Sequence, residues 1–194
     1  MIGGVVLAAG TSSRLGRPKQ TLVLGDRPVL QHVVDAAASA GLDELVVVLG
    51  HKAEEVGRVL RLPPGARTVV NPEFASGQAS SLRAGFAALD ARVHAGVVML
   101  GDQPGVSPAS LRGVVEVYRR GGGPVVQATY GGRRGHPVLF DRSVWAEVAG
   151  QEGDLGAREA LERHSEWVRE AEVGGEPPAD LDTWEDYQRL KAGG

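Results

Sequence analysis

The stretch VVLAAGTSSRLGRPK, residues 5–19, decides the fold class. It starts with an apolar run, turns small and polar, and ends in cations at Arg14, Arg17 and Lys19. A short apolar run followed by turn residues indicates a buried strand that ends in a loop. Backbone N–H groups of small residues form a concavity that binds anions, and Arg14 and Lys19 add fixed positive charge. The segment therefore predicts a phosphate-binding loop at the exit of the first strand.

This loop differs from the common nucleotide motifs. No Gly-Lys-Ser/Thr closes it as in a Walker loop, and the Gly-x-Gly-x-x-Gly fingerprint of dinucleotide-binding folds is absent. A surface loop with scattered basic residues is the alternative interpretation.

The same rhythm of strand, loop and helix continues outward from this segment. Apolar runs that predict strands alternate with amphipathic patterns that predict helices: strands at 5–7, 45–49, 68–70, 97–100 and 125–129, helices at 28–40, 53–60, 79–89 and 108–120. This alternation predicts an α/β fold with three layers, α/β/α and Rossmann-like, around a mostly parallel sheet. Ligands of such sheets bind beyond the carboxyl ends of the strands, so we expect loops 9–19, 71–78 and 101–106 to form the site.

The last third has a different pattern. A Gly-rich turn over 130–136 predicts a hairpin that adds an antiparallel strand to the sheet. The remaining segments predict helices at 143–149 and 156–164 and an exposed strand at 167–173. A final helix, capped by Asp182-Thr183, is predicted to run to Leu190. No repeat or linker divides the chain, and we expect one domain over 1–194.

Composition narrows the class of protein. The chain has 194 residues, a net charge of −3, 42% hydrophobic and 23% charged residues, which argues against disorder and gives no reason to expect nucleic-acid binding. It has no cysteine, which excludes disulfides, thiolate metal ligands and cysteine nucleophiles. No apolar stretch reaches the ~18–20 residues of a membrane span, and no basic leader precedes the first strand. We expect a soluble, cytoplasmic enzyme without membrane association.

Two carboxylates are candidate metal ligands. Asp102 lies just past the end of the strand at 97–100, where a carboxylate suits Mg²⁺, with capping of the next turn as its alternative role. Asp182 begins the last helix, where it serves as a metal ligand or as an N-cap, and Asp180 is a weaker competitor. The histidines show no metal-binding spacing, and no Gly-x-Ser-x-Gly indicates a hydrolase.

Several blocks together resemble one known family. Leu7-Ala-Ala-Gly-x-Ser-x-Arg-Leu-Gly-x-x-Lys19 and Gly101-Asp-Gln-Pro104 resemble signatures of nucleotidyltransferases with a glycosyltransferase-A-like fold, and more closely the MobA/MocA-like molybdenum cofactor cytidylyl- and guanylyltransferases. Further matching blocks follow in family order over nearly the whole chain: Asn71-Pro72, 77–82, 134–137, 153–158 and 182–186.

The resemblance implies a role for each block. Arg14, Lys19 and Asp102 would be catalytic, with Mg²⁺ held by Asp102 and Asp182. The nucleotide-binding residues would be Leu7, Ala8, Ala9, Gly10, Thr11, Ser12, Gly77, Gln78 and Ser81. Capping of a helix by Ser80 or Ser81 explains the serines equally well. The acceptor, a molybdopterin-type molecule, would be bound by Arg134, His136, Asp154 and Arg158. For these residues the alternatives are solvated arginines, a structural histidine and a capping aspartate.

The implied reaction transfers a nucleoside monophosphate from an NTP to a phosphate-bearing acceptor, with release of pyrophosphate. Leu7-Ala-Ala-Gly10 resembles the cytidylyl type, whereas Leu-Ala-Gly-Gly resembles the guanylyl type, so CTP is favoured over GTP. We hypothesise that the Ala9 methyl narrows the slot for the base. A molybdenum enzyme that receives the product is a further implied partner. The alternatives are a sugar- or alditol-phosphate nucleotidyltransferase and a non-catalytic accessory protein that binds nucleotide or cofactor.

Overall fold

A computed structural model describes residues 1–150 and 157–193. The strands are β1 (Ile2–Ala8), β2 (Val23–Leu24), β3 (Arg27–Pro28), β4 (Glu44–Leu49), β5 (Ala66–Val70), β6 (Ala95–Leu100), β7 (Val125–Tyr130), β8 (Arg133–Asp141) and β9 (Val168–Glu172). The α-helices are α1 (Val29–Ser39), α2 (Ala53–Val59), α3 (Gln78–Ala88), α4 (Pro108–Arg119), α5 (Trp145–Ala149), α6 (Arg158–Arg163) and α7 (Trp184–Ala192).

Seven strands form the main sheet in the order β5-β4-β1-β6-β8-β7-β9. β8 runs antiparallel to both of its neighbours, while the other pairings in this sheet are parallel. The turn between β7 and β8 consists of Gly131 and Gly132, both with positive φ, which is the backbone geometry of a tight hairpin turn. The predicted fold class, a mostly parallel sheet with an antiparallel strand in the last third, is confirmed.

The core has two halves because successive side chains of a strand point to opposite faces. Val6 and Ala8 of β1 pack with buried residues of α1, α2 and α4. Val5 and Leu7 pack on the other face with residues of α3, α5 and α6. Helices therefore cover both sides of the sheet, and the polar loops lie at its edges.

The final helix packs outside these two halves. A third apolar cluster joins Leu15 of the first loop to Leu22, Val29 and Leu181, and α7 packs against it. This cluster brings the start of α7 beside the loop that follows β1. In the described ranges, no helix has the length and apolar character that a membrane crossing requires.

Candidate active site

The first loop is held in place where β1 ends. Leu7 pairs with Leu100 of β6, so the loops after β1 and β6 lie side by side. Ser12 adopts a left-handed backbone conformation with φ 53°, and its Oγ accepts a hydrogen bond of 3.0 Å from the backbone N–H of Lys19. This bond closes the loop and places Lys19 at the carboxyl end of the sheet.

Lys19 bridges two carboxylates from distant parts of the chain. Its Nζ lies 2.5 Å from Asp102 Oδ2 and 2.8 Å from Asp182 Oδ1, and the Lys19 side chain is only 13% exposed. Arg14, which is largely exposed, lies beside them with its guanidinium 4.0 Å from Asp182. The structure thus brings together the two cations and the two carboxylates that the sequence indicated.

Burial and ion pairing act in opposite directions on these groups. Burial lowers the pKa of the Lys19 ammonium, but the charges of Asp102 and Asp182 outweigh it and leave this pKa above its usual value. For Asp102 burial is the larger influence, and it holds the pKa of that carboxyl above its usual range despite Lys19. Asp102 is therefore a carboxylate whose charged form depends on a neighbouring cation.

The two carboxylates also fit a divalent metal ion. Asp102 and Asp182 direct one oxygen each at the same point, which is now the Lys19 ammonium. Mg²⁺ takes one or two carboxylates and completes its shell with substrate phosphates and water, so this donor set suits it. No group of three or more acidic or histidine side chains with metal-binding geometry occurs at 1–150 or 157–193, so other ligands would have to come from a substrate or water.

A cleft of about 400 Å³ opens beside Lys19 and Asp102. Seven of the nine predicted nucleotide-binding residues line it: Leu7, Ala9, Gly10, Thr11, Gly77, Gln78 and Ser81. The other two, Ala8 and Ser12, stand behind the wall, where Ala8 is buried in the core and Ser12 closes the loop. The Ala9 methyl lies close to Gly50: a Cβ atom added at Gly50 would be 2.7 Å from it.

The serines of α3 do not cap the helix as their alternative role required. Gly77 is the N-cap and no side chain caps this end. Ser80 and Ser81 instead accept hydrogen bonds of 2.8 and 3.1 Å from the buried Asn71 amide, which ties the loop after β5 to α3. The exposed Gln78 side chain has no hydrogen-bond partner within the described residues and remains available to a ligand.

A second cavity of about 710 Å³ adjoins the first and shares Leu7 and Gln78 with it. Three of the four predicted acceptor-binding residues, Arg134, His136 and Arg158, line this cavity. The fourth, Asp154, lies outside the described residues. The rest of the wall of this second cavity is largely apolar and is formed by Leu82, Val98, Val138, Phe140, Ala157 and Leu161.

The polar groups of this cavity are partly paired. Arg134 Nε donates to Glu170 at 2.8 Å and Arg158 Nε donates to Glu162 at 2.9 Å, so neither arginine is simply solvated. Burial lowers the pKa of His136 to about 4, and this imidazole is neutral at pH 7. A neutral imidazole both donates and accepts a hydrogen bond.

Of Asp182-Thr183, the pair predicted to cap the last helix, Thr183 and not Asp182 is the N-cap. Thr183 is the N-cap of α7: its Oγ1 accepts from Asp186 N, and the Asp186 carboxylate accepts from Thr183 N at 2.8 Å. This capping box leaves the Asp182 carboxylate free to turn towards Lys19. Asp182 therefore contacts Lys19 at the site and does not cap α7.

Several cleft residues lie outside the predicted set. Gln20, Phe74, Ala75 and Leu100 line the smaller cavity, and Gln127, Glu162 and Ser165 line the larger one. The position of Gln20 directly after Lys19 in the sequence could have indicated that Gln20 belongs to the site. Phe74 and Ala75 lie in the predicted site loop 71–78, and the remaining residues join the site only through tertiary packing.

Fold and site together define a nucleotidyltransferase-type α/β protein, in which the loop after β1 and the Asp102 carboxylate meet at the carboxyl edge of a mostly parallel sheet. Comparison with known families agrees with this class. The MobA-like NTP transferase domain family matches residues 4–168, and the chain belongs to that family.

Individual relatives extend over the whole chain. A protein of Paenarthrobacter nicotinovorans named nicotine blue oxidoreductase is 36% identical, over 97% of this chain and 96% of its own. Rv0371c of Mycobacterium tuberculosis superposes with a TM-score of 0.88 at 41% identity, covering 98% and 97% of the two chains, and has also been solved in complex with manganese. A nucleotidyl transferase of Methanothermobacter gives a TM-score of 0.81 at 27% identity, covering 100% and 97%.

Proposed function

We propose that this protein transfers CMP from CTP to a phosphate-bearing acceptor of the molybdopterin type and releases pyrophosphate. The observation that carries the proposal is the junction of the two cavities at Leu7 and Gln78. A triphosphate bound in the smaller cavity beside Lys19 would place its α-phosphorus towards the mouth of the larger one. The acceptor phosphate would approach from that side.

The transfer step needs no general base. A terminal phosphate oxygen of the acceptor attacks the α-phosphorus, the bond from that phosphorus to the bridging oxygen breaks, and pyrophosphate leaves with the electron pair. The acceptor oxygen is already ionised at neutral pH, since the second pKa of a phosphomonoester is about 6. Lys19 and Arg14 neutralise the charge that develops on the departing pyrophosphate. Mg²⁺ on Asp102 and Asp182 would neutralise phosphate charge as well.

The larger cavity supports an acceptor that combines a flat ring system with an anionic group. Its apolar wall provides area for the ring, while Arg134 and Arg158 supply positive charge at the rim. The neutral His136 offers one donor and one acceptor of the kind that a heterocyclic amide pairs with. A reducing, cytoplasmic location and a molybdenum enzyme as the next recipient are parts of the same proposal.

Mass spectrometry of the product formed from molybdopterin and all four NTPs tests this function. We expect a cytidylylated product, tighter binding of MgCTP than of MgGTP in calorimetry, and a 10²–10³-fold loss of pyrophosphate release in Asp102→Asn. A guanylylated product would overturn the choice of nucleotide. Transfer to a sugar or alditol phosphate would overturn the acceptor, and nucleotide binding without any product would indicate an accessory protein.

A second candidate activity is an oxidoreductase reaction in the larger cavity, with nicotine blue as the dye that is reduced. It is favoured by the full-length relative whose name describes an oxidoreductase. The test is oxidation of a nicotinamide dinucleotide, followed by absorbance, in the presence of such a dye. Dye-dependent oxidation that survives in Asp102→Asn would favour this activity over nucleotide transfer.

A further inference from the structure

Gln20 is buried beneath the loop that follows β1. Its side chain is 2% exposed, and its Nε2 donates a hydrogen bond of 3.1 Å to the backbone carbonyl of Ala8. The same residue lines the smaller cavity next to Lys19. A buried polar side chain that bonds to backbone at the edge of a binding cleft is placed to control the geometry of that cleft.

The three carbonyls at the end of β1 are each engaged. Leu7 O accepts from Gly101 N at 2.8 Å, and Ala9 O accepts from His51 N at 3.2 Å. Those two partners are backbone groups that follow the neighbouring strands. The carbonyl between them, that of Ala8, is held by the Gln20 side chain. The orientation of this middle peptide therefore depends on a side chain.

Holding this carbonyl also fixes an N–H group. The C=O and N–H of a trans peptide point in opposite directions, so the direction of the Ala8 carbonyl sets that of the Ala9 N–H. Ala9 lies on the wall of the cleft, and its methyl lies close to Gly50. The backbone N–H of Ala9 is thus placed at the wall that a ligand in this cleft would meet.

Gln20 also reaches the second half of the loop. Its Oε1 lies 3.5 Å from Ser12 Oγ, the outer limit of a hydrogen bond, and the same Oγ accepts from the backbone N–H of Lys19. One side chain thus connects the start of the loop at Ala8 with the strained turn at Ser12.

We propose that Gln20 is a positioning residue for nucleotide binding, which holds the Ala8–Ala9 peptide in the orientation that presents the Ala9 N–H to the bound nucleotide. The inference rests on the proposed function in that the smaller cavity is taken to bind the NTP. Without the Gln20 donor, the Ala8 carbonyl is buried and unpaired, and rotation of this peptide towards another partner becomes favourable.

The test compares Gln20→Met with Gln31→Met. Gln31 is also a buried glutamine, and its Nε2 donates 3.0 Å to the Arg61 carbonyl, away from both cavities. Both variants remove a side-chain donor to a backbone carbonyl and keep the approximate volume. We expect the affinity for MgCTP in calorimetry to fall about tenfold in Gln20→Met, equivalent to about 1.4 kcal/mol, and to stay within twofold in Gln31→Met.

A readout without nucleotide separates this inference from the proposed function. In ligand-free protein, we expect the ¹⁵N–¹H resonance of Ala9 to shift or to double in Gln20→Met and to stay unchanged in Gln31→Met. An unchanged Ala9 resonance together with unchanged affinity would overturn the inference. A selective change at Ala9 in a protein that binds none of the four MgNTPs would support the positioning of the peptide and overturn the proposed function. If Gln20→Met does not fold, Gln20→Glu, which keeps the length of the side chain and removes the donor, undergoes the same two measurements with the same expectations.

Discussion

Removal of Lys19 is expected to strengthen metal binding while it weakens catalysis. The Lys19 ammonium occupies the point at which Asp102 and Asp182 converge, 2.5 and 2.8 Å from their oxygens. A divalent cation at that point must first displace the ammonium, because the ammonium occupies the two converging oxygens. In Lys19→Met the carboxylates face the metal without this competitor.

The size of the effect follows from the ion pairs that the metal has to break. A buried hydrogen bond to a charged group contributes about 1.5–3 kcal/mol. Because Asp182 is half exposed, solvent weakens the ion pair between Lys19 and Asp182. We take about 1.4 kcal/mol as a lower value, which corresponds to a tenfold change in affinity. Mn²⁺ should therefore bind Lys19→Met at least about tenfold more tightly than the wild type when nucleotide is absent.

The assay is titration of Mn²⁺ by electron paramagnetic resonance, in which free aqueous ion gives the signal. Lys191→Met is the matched control, because it removes one positive charge from the exposed end of α7. We expect the control to bind Mn²⁺ as the wild type does, and pyrophosphate release by Lys19→Met to fall 10²–10³-fold. Equal or weaker Mn²⁺ binding by Lys19→Met would refute the reasoning.

Two further predictions concern stability. The folded-state pKa of His136 is about 4, below the usual 6.5 of a histidine, so between these pH values the unfolded chain binds more protons than the folded chain. The burial of neutral His136 therefore contributes on the order of 3 kcal/mol to the free energy of unfolding above about pH 6.5, and this contribution is lost as the pH falls towards 4. Urea unfolding of His136→Gln should show a correspondingly smaller loss over that window, and an identical pH dependence of the two proteins would contradict the burial argument. Thr183→Ala removes the N-cap of α7 and should cost about 1 kcal/mol in the same assay, and an unchanged midpoint would show that the capping box with Asp186 contributes nothing.

The sequence was a good guide where local chemistry decides the structure. The predicted helix at 108–120 is observed at 108–119, because Ser107 caps its start and the apolar period is regular. The loop after β1 and Asp102 lie at one edge of the sheet as predicted, since the parallel strands β1 and β6 bring their carboxyl ends together there.

Tertiary contacts were beyond the same reasoning. The strands β2 and β3 have two residues each, too short for any periodic signal. The Lys19–Asp182 contact joins residues far apart in sequence and depends on Leu181 filling an apolar cluster. Pairing of Arg134 with Glu170 likewise follows from the parallel pairing of β7 and β9, which the hairpin signal did not include.

The two cavities are formed largely by different segments of the chain, and the antiparallel strand β8 belongs to the second segment. The smaller cavity is lined by residues 7–102, whereas most of the larger cavity comes from residues 127–165. Under the proposed function, a chimera that exchanges the segment from β7 to β9 with that of a relative should change which molecule receives the nucleotide without changing the choice of base. In such an arrangement, replacement of one contiguous segment of the chain is enough to change the product.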